Sequence, residues 1–232
     1  EMLDPWSEET TWILNDSEDN LYISDKYGYS VEDFERDWFS LGGFSMQSNL
    51  LPHPIPYLYR DEPKHFLRGY FNAFASVFYP DICACVEHAL PTLADNNGVW
   101  FKTSDEAQSA YWLRLMFIYE RGNELDLGMA IPREWLQHGK SVKIKRAATY
   151  FGEMGYKINS EAGNGRITMI LQPPTRNAPG AINVRFRHPE EKPMKKVFIN
   201  GKEWANFSPE NELIRLGSCL LYTSPSPRDR QK

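Results

Sequence analysis

Residues 141–172 read SVKIKRAATYFGEMGYKINSEAGNGRITMILQ, and this stretch decides the fold expected for the second half of the chain. Its apolar and polar residues alternate, beginning with Val142 and Ile144 on either side of Lys143. Side chains of a β-strand point alternately to opposite faces, so a period of two indicates half-buried strands. Asn164-Gly165 interrupts the alternation and is a hairpin signal. The other apolar members of the pattern are Tyr156, Ile158, Ile167, Met169 and Leu171.

The same alternation continues to the end of the chain. Ile182, Val184 and Phe186 form a further apolar row, and Asn200-Gly201 supplies a second hairpin signal. Five or more short strands joined by tight turns predict an antiparallel β-sandwich. The polar partners in this region are expected on the solvent-facing side of a strand; they are Arg185, Arg187 and His188.

Before residue 140 the apolar period is close to that of a helix. Pro63 to Phe78 carries an aromatic residue every fourth position and is bounded by prolines, which predicts one helix. A second helix is expected over 104–119, where Thr103 and Glu106 have the spacing of a capping box. Shorter helices are expected over 31–38 and 132–139.

Composition places the chain among globular proteins and excludes several functions. Of its 232 residues 41% are hydrophobic, and the formal net charge of −5 argues against a general nucleic-acid binder. No apolar run approaches the roughly 20 residues of a membrane-spanning helix. The sequence contains no phosphate-binding loop, serine-hydrolase elbow or zinc-protease motif, and Cys83 and Cys85 are interpreted as packing residues. We therefore predict no cofactor and no metal site.

The two ends of the chain differ from the rest. Residues 219–229 read CLLYTSPSPRD and resemble a translated sequencing adapter, so we expect 219–232 to be a tail that is not native. The first residue is Glu1, and no signal peptide follows it. We therefore expect a fragment that lacks the N-terminal part of its own chain.

Several short motifs carry a family resemblance. They are Trp38-Phe39-Ser40-Leu41-Gly42-Gly43-Phe44, Arg68-Gly69-Tyr70-Phe71-Asn72-Ala73, Val86-Glu87-His88, Trp100-Phe101-Lys102-Thr103, Thr149-Tyr150-Phe151-Gly152, Pro173-Pro174-Thr175-Arg176, Arg185-Phe186-Arg187-His188-Pro189 and Val197-Phe198-Ile199-Asn200-Gly201. Together they resemble the C-terminal part of six-hairpin glycosidase-like proteins. The resemblance implies an α+β multidomain fragment, in which 1–135 forms the last helical hairpins of an (α/α)6 toroid and 136–218 a C-terminal β-sandwich. It also implies a secreted or periplasmic protein.

The function that the resemblance implies is hydrolysis of glycosidic bonds in an oligo- or polysaccharide. Such bonds are usually cut by two carboxyl groups, and the candidates here are Glu87 and Glu106. Glu87 is next to His88, between an apolar helix and a loop rich in glycine and asparagine. Aromatic, basic and histidine side chains in the neighbouring loops are the candidates for sugar binding. The substrate-binding candidates are His88, Lys102, Trp100, Trp38, His53 and Tyr59.

Other interpretations stay open at this point. Glu87 could be a structural carboxylate paired with a basic residue, and the capping box alone accounts for Glu106. The same architecture also serves as a non-catalytic carbohydrate-binding or cell-surface scaffold. A polysaccharide lyase is the third alternative, and basic residues that neutralise a uronate would favour it.

Overall fold

The computed structural model describes residues 54–79, 82–85 and 100–217. The chain divides into two compact units, the first ending at Arg114 and the second beginning at Leu115. The boundary expected between residues 135 and 136 stays a prediction of domain organisation. Two strands that precede residue 135, Ile118–Arg121 and Glu124–Leu127, belong to the second unit.

The described part of the first unit is built from short helices and one small hairpin. Its elements are α1 (Ile55–Tyr59), α2 (Pro63–Val77), β1 (Phe78–Tyr79), β2 (Ala84–Cys85) and the greater part of α3 (Thr103–Phe117). The aromatic row expected in α2 forms a stack, with ring centroids 6.0 Å apart for Tyr70 and Phe74 and 4.6 Å apart for Phe74 and Phe78. Pro63 begins α2, as the sequence predicts. The first N–H groups of a helix have no acceptor within the helix, so a proline, which lacks the N–H, is tolerated there.

Short strands make up most of the regular structure described in the second unit. They are β3 (Ile118–Arg121), β4 (Glu124–Leu127), β5 (Ser141–Ala147), β6 (Met154–Glu161), β7 (Arg166–Gln172), β8 (Ala181–Arg185), β9 (Val197–Ile199), β10 (Lys202–Trp204), β11 (Phe207–Ser208) and β12 (Leu213–Gly217). Two 3₁₀ turns, at Arg133–Leu136 and Ala162–Asn164, connect them.

These strands form two sheets and a hairpin. The larger sheet has the order β11-β12-β8-β4-β3, the smaller has the order β5-β6-β7, and β9 pairs with β10. Neighbouring strands are antiparallel except β4 and β8, which run parallel with Leu125 beside Ile182. The turn at Asn200-Gly201 has positive φ at both residues, as a two-residue hairpin requires.

A core shared by the two sheets holds the second unit together. Leu125, Leu127 and Ile182 of the larger sheet belong to the same buried cluster as Tyr156 and Ile158 of the smaller sheet. The alternation in 141–172 correctly predicts the inward positions of the smaller sheet, such as Tyr156 and Ile158. Burying a side chain of this size contributes about 1.5–3 kcal/mol, so the alternation also identifies the main source of stability.

The expected helical hairpins of an (α/α)6 toroid are wrong for the described residues. Those residues contain three helices, of 5, 15 and 15 residues, and most of the regular structure is strand. The physical reason lies at the ends of the helices. Helix α2 stops at Val77 and runs directly into β1, and α3 stops at Phe117 and runs into β3, where a partner helix would have to follow.

Two smaller expectations also need correction. Arg185 and Arg187 are buried rather than solvent-facing, because their guanidinium groups donate to main-chain carbonyls of the loop after β4. The helix expected over 132–139 is a single 3₁₀ turn at Arg133–Leu136. The segments 31–38 and 219–232 lie outside the described residues.

None of the helices in 54–79 and 100–217 is long and apolar enough to cross a membrane.

Candidate functional site

Half of the site residues predicted from the sequence lie outside the described ranges. These are Glu87, His88, Trp38 and His53. The other four lie in the first unit: Tyr59 ends α1, Trp100 and Lys102 precede α3, and Glu106 lies in its first turn. The proposed pairing of Glu87 with Glu106 therefore stays a prediction.

Lys102 and Glu106 meet at the main chain of Cys85. The Lys102 amide donates to the Cys85 carbonyl over 2.9 Å, and Glu106 Oε1 accepts from the Cys85 amide over 3.3 Å. Lys102 Nζ also lies 3.3 Å from Oδ2 of the buried Asp105. These contacts fasten the start of α3 to β2, so the described contacts of both residues are structural.

The Cys85 thiol is held in its neutral form. Burial raises its pKa to about 11, and the nearby carboxylates of Glu106 and Asp105 add to the shift. The thiolate is the nucleophilic form of cysteine, and it is a negligible fraction at neutral pH under these conditions. Cys85 is therefore a packing residue, as the sequence predicts.

A carboxylate pair that the sequence analysis missed lies in the larger sheet. Asn183 Nδ2 donates to Asp126 Oδ1 over 2.6 Å and to Glu124 Oε2 over 2.9 Å. Arg215 Nη1 donates to Glu124 Oε2 over 3.0 Å, and Arg121 Nη2 lies 3.2 Å from Asp126 Oδ2. The signal for this pair was the alternation of Glu124 and Asp126 with leucines that face the core.

The two carboxyl groups have opposite pKa shifts. The hydrogen bond from Arg215 lowers the pKa of Glu124, whereas burial raises the pKa of Asp126, which is 1% exposed. Divergent pKa values are typical of acid–base pairs in enzymes. Here each carboxylate faces its own arginine, and the four charges sum to zero. We conclude that the role of this network is structural, since it joins β4, β8 and β12.

A second arrangement has the features of a binding site, and it lies in the loop between β5 and β6. Thr149 and Gly152 exchange main-chain hydrogen bonds of 3.2 and 3.0 Å. The Thr149 hydroxyl donates to the Gly152 carbonyl over 2.6 Å and accepts from the Phe151 amide over 3.1 Å. This loop, residues 148–153, is closed by its own hydrogen bonds, and we call it the Tyr150 loop.

The chain after β7 fastens the Tyr150 loop from outside. The amides of Arg176 and Asn177 both donate to the Phe151 carbonyl, over 3.1 and 2.9 Å. Arg176 Nη2 donates to the Tyr150 carbonyl over 2.9 Å, and the Tyr150 amide donates to Glu120 Oε1. Two sequence motifs, Thr149–Gly152 and Pro173–Arg176, therefore form one structure although they are more than 20 positions apart.

Only glycine fits at position 152. Its φ is +110°, and a Cβ placed there would lie 2.7 Å from the Arg176 amide nitrogen and 3.1 Å from that of Thr175. No side-chain motion can relieve a clash with backbone atoms. The close approach of the two loops thus depends on this residue.

The side chain that this rigid loop presents is Tyr150, which is 77% exposed. The loop's main chain is fixed while its aromatic ring faces solvent. Charged groups lie along the loop: Arg176 and Glu120 hydrogen-bond to the main chain of Tyr150, and Arg146 and Glu153 form an exposed ion pair of 3.2 Å where the hairpin enters and leaves the loop. An aromatic surface with donors and acceptors beside it can bind a ligand that is apolar on one face and hydroxylated at its edges.

Groups of three or more metal-ligating side chains do not occur within the ranges 54–79, 82–85 and 100–217.

We expect opposite pH dependence from the two carboxylates of the larger sheet. Asp126 has a folded-state pKa above its ordinary value of 3.8, so its contribution to stability falls as the pH rises through that pKa. Glu124 has a lowered pKa, so its contribution is present above its ordinary value of 4.5 and is lost as the pH falls. Urea unfolding from pH 3 to 8 measures both effects.

The variants Asp126→Asn and Glu124→Gln separate the two contributions. Relative to the unsubstituted chain, Asp126→Asn should gain stability as the pH rises, and Glu124→Gln should lose it. Equal slopes for the two variants would contradict the assignment of the network.

Gly152→Ala should destabilise the chain by about 3 kcal/mol, because strain at positive φ adds to a clash with backbone. Gly165→Ala is the matched control: its φ is +70°, and no atom lies within 4 Å of the added Cβ. We expect the control to cost about 1 kcal/mol. Thermal unfolding of both variants gives the comparison, and similar losses would show that the two loops are not tightly apposed.

Comparisons of the chain with protein-family models, with curated proteins and with solved structures find no significant match. The function must therefore be argued from the geometry of the chain itself.

Proposed function

We propose that the second unit is a non-catalytic carbohydrate-binding module whose platform is Tyr150. The observation that carries the proposal is the combination of a fixed main chain with an aromatic ring that is largely exposed. A sugar ring presents a row of C–H groups on one face, and these pack against an aromatic ring. Its hydroxyl groups then take hydrogen bonds from charged side chains at the edge.

The rigidity of the Tyr150 loop supports this proposal. Ordering a flexible loop on binding costs free energy that is subtracted from the affinity. The hydrogen bonds from Thr149, Arg176 and Asn177 have already fixed the loop before any ligand arrives. An aromatic side chain kept in water on such a support offers contact area to a ligand at low entropic cost.

Hydrolysis of the glycosidic bond stays a prediction that depends on Glu87. Three of the described carboxylates have structural partners: Glu106 accepts from the Cys85 amide, and Glu124 and Asp126 are balanced by arginines. Binding at Tyr150 requires neither a carboxylate pair nor residues outside the described ranges. We therefore put binding before catalysis.

Binding of polysaccharides by the full chain in affinity gel electrophoresis tests the proposal. Tyr150→Ala should weaken binding about tenfold, because an aromatic stacking contact contributes about 1.4 kcal/mol. Tyr150→Phe keeps the ring and should retain most of the affinity. The panel should contain neutral and acidic polysaccharides.

Phe198→Ala is the control for loss of an exposed aromatic ring. Phe198 is 59% exposed, and it lies on β9 rather than in the Tyr150 loop. Its removal should leave binding unchanged. A panel in which nothing binds, or equal losses from Tyr150→Ala and Phe198→Ala, would overturn the proposal.

A further inference from the structure

The outer face of the β5-β6-β7 sheet is unusually basic. Val142 and Ile144 belong to the core or pack against it, so Lys143 between them stands on the opposite face of β5. Lys145 follows where the register of β5 shifts, and it is exposed. By the same alternation, Lys157 stands on that face of β6 between the buried Tyr156 and Ile158. These three lysines form what we call the lysine face.

Two of these lysines lie directly opposite each other. The register of β5 and β6 pairs Lys143 with Lys157. Side chains opposite each other in an antiparallel pair have Cβ atoms about 4.5–5.5 Å apart, and like charges in this position destabilise a sheet. A bound anion would remove that repulsion.

Ion pairs of the smaller sheet lie at its margins. Arg146 pairs with Glu153 beside the Tyr150 loop, and Arg166 pairs with Glu161 at the opposite end of the hairpins. None of the salt bridges found within the described ranges involves a member of the lysine face. The chain as a whole carries a net charge of −5, so this face is a local exception to an acidic protein.

The rest of the lysine face has the polarity of a sugar-binding surface. Ser141, Asn159 and Thr168 form one row across the three strands by register. Ile170 lies opposite Lys157 and is 65% exposed, which provides an apolar patch among the polar groups. Hydroxyl and amide groups suit the hydroxyls of a sugar, and the apolar patch suits its C–H face.

We infer that the lysine face binds an anionic polysaccharide that carries uronate carboxylates. The inference rests on the proposed carbohydrate-binding function and narrows its ligand to one chemical class. The two surfaces are adjoining, because β5 leads from Lys145 into the Tyr150 loop within a few residues. A sheet face with strands of seven or eight residues suits a linear polymer, since its sugar units can lie along the strands.

The inference is tested by binding of the full chain to polygalacturonate, with dextran as the neutral polymer and single-stranded DNA as the other polyanion. The double variant Lys143→Gln/Lys157→Gln should weaken binding to polygalacturonate at least tenfold. Its binding should also depend less on salt concentration, because screening acts on the charges that were removed. Near-ultraviolet circular dichroism checks that the variant is folded.

The control is Lys195→Gln/Lys196→Gln, which changes the net charge of the chain by the same amount as Lys143→Gln/Lys157→Gln. Both lysines are exposed and lie outside the smaller sheet. The control should bind polygalacturonate as tightly as the unsubstituted chain. Equal losses in both double variants would overturn the inference, as would binding to dextran as tight as to polygalacturonate, or binding to DNA alone.

The same set of variants separates this inference from the proposed function. If Tyr150→Ala loses binding and the lysine-face variant does not, the proposed carbohydrate-binding function is supported and the anionic ligand is rejected. Loss in the lysine-face variant alone would reject Tyr150 as the platform and keep the anionic ligand. Absence of binding to every polysaccharide would reject both.

Discussion

The parallel pairing of β4 with β8 is the constraint on which the second unit depends. Parallel neighbours cannot be joined by a tight turn, because the chain must return to the end from which it started. The return here uses residues 128–180, and this segment folds into the β5-β6-β7 sheet. That sheet supplies the other half of the core. The parallel pairing of β4 with β8 therefore requires the connection that forms the second sheet.

Buried polar groups hold the start of this return path in place. Gly128 leaves β4 with a φ of +72°, and a Cβ there would lie 2.9 Å from the Arg185 carbonyl oxygen. Arg187 Nη1 donates to the Ile131 carbonyl over 2.9 Å, although burial lowers its pKa to about 10. Arg133 then makes two hydrogen bonds of 2.8 Å with Glu212. Burying such charges is tolerable only because each is paired or hydrogen-bonded.

Local periodicity predicted the part of the fold that depends on local pattern. Strands β5 to β8 follow from alternation, because only a strand brings every second residue to one face. Local pattern does not predict the fold where contacts between distant segments decide it. The aromatic row of α2 predicts a helix, but it contains no information on whether a second helix or a strand follows. Arg185 looked exposed because its acceptors, the carbonyls of Met129 and Asn211, are 56 and 26 residues away.

The candidate site residues also divide into those that local sequence pattern indicates and those that depend on contacts between distant segments. Lys102 and Glu106 could be selected from the sequence because they lie together in one motif and its capping pattern, but their described contacts are structural. Tyr150 was only one residue of a family motif until the approach of Arg176 and Asn177 fixed its loop. The lysine face was visible as alternation, but the opposition of Lys143 and Lys157 requires the register of two strands. The proposed binding surfaces depend on contacts between loops and strands that no single segment encodes.

Cross-strand nuclear Overhauser effects between β4 and β8 in the full chain test this account most directly. Parallel pairing places Leu125 beside Ile182 and Leu127 beside Val184. We predict backbone cross-peaks for those two pairs. Antiparallel pairing through the same central residues would instead join Leu125 to Val184 and Leu127 to Ile182, and cross-peaks for that reversed set would contradict the account.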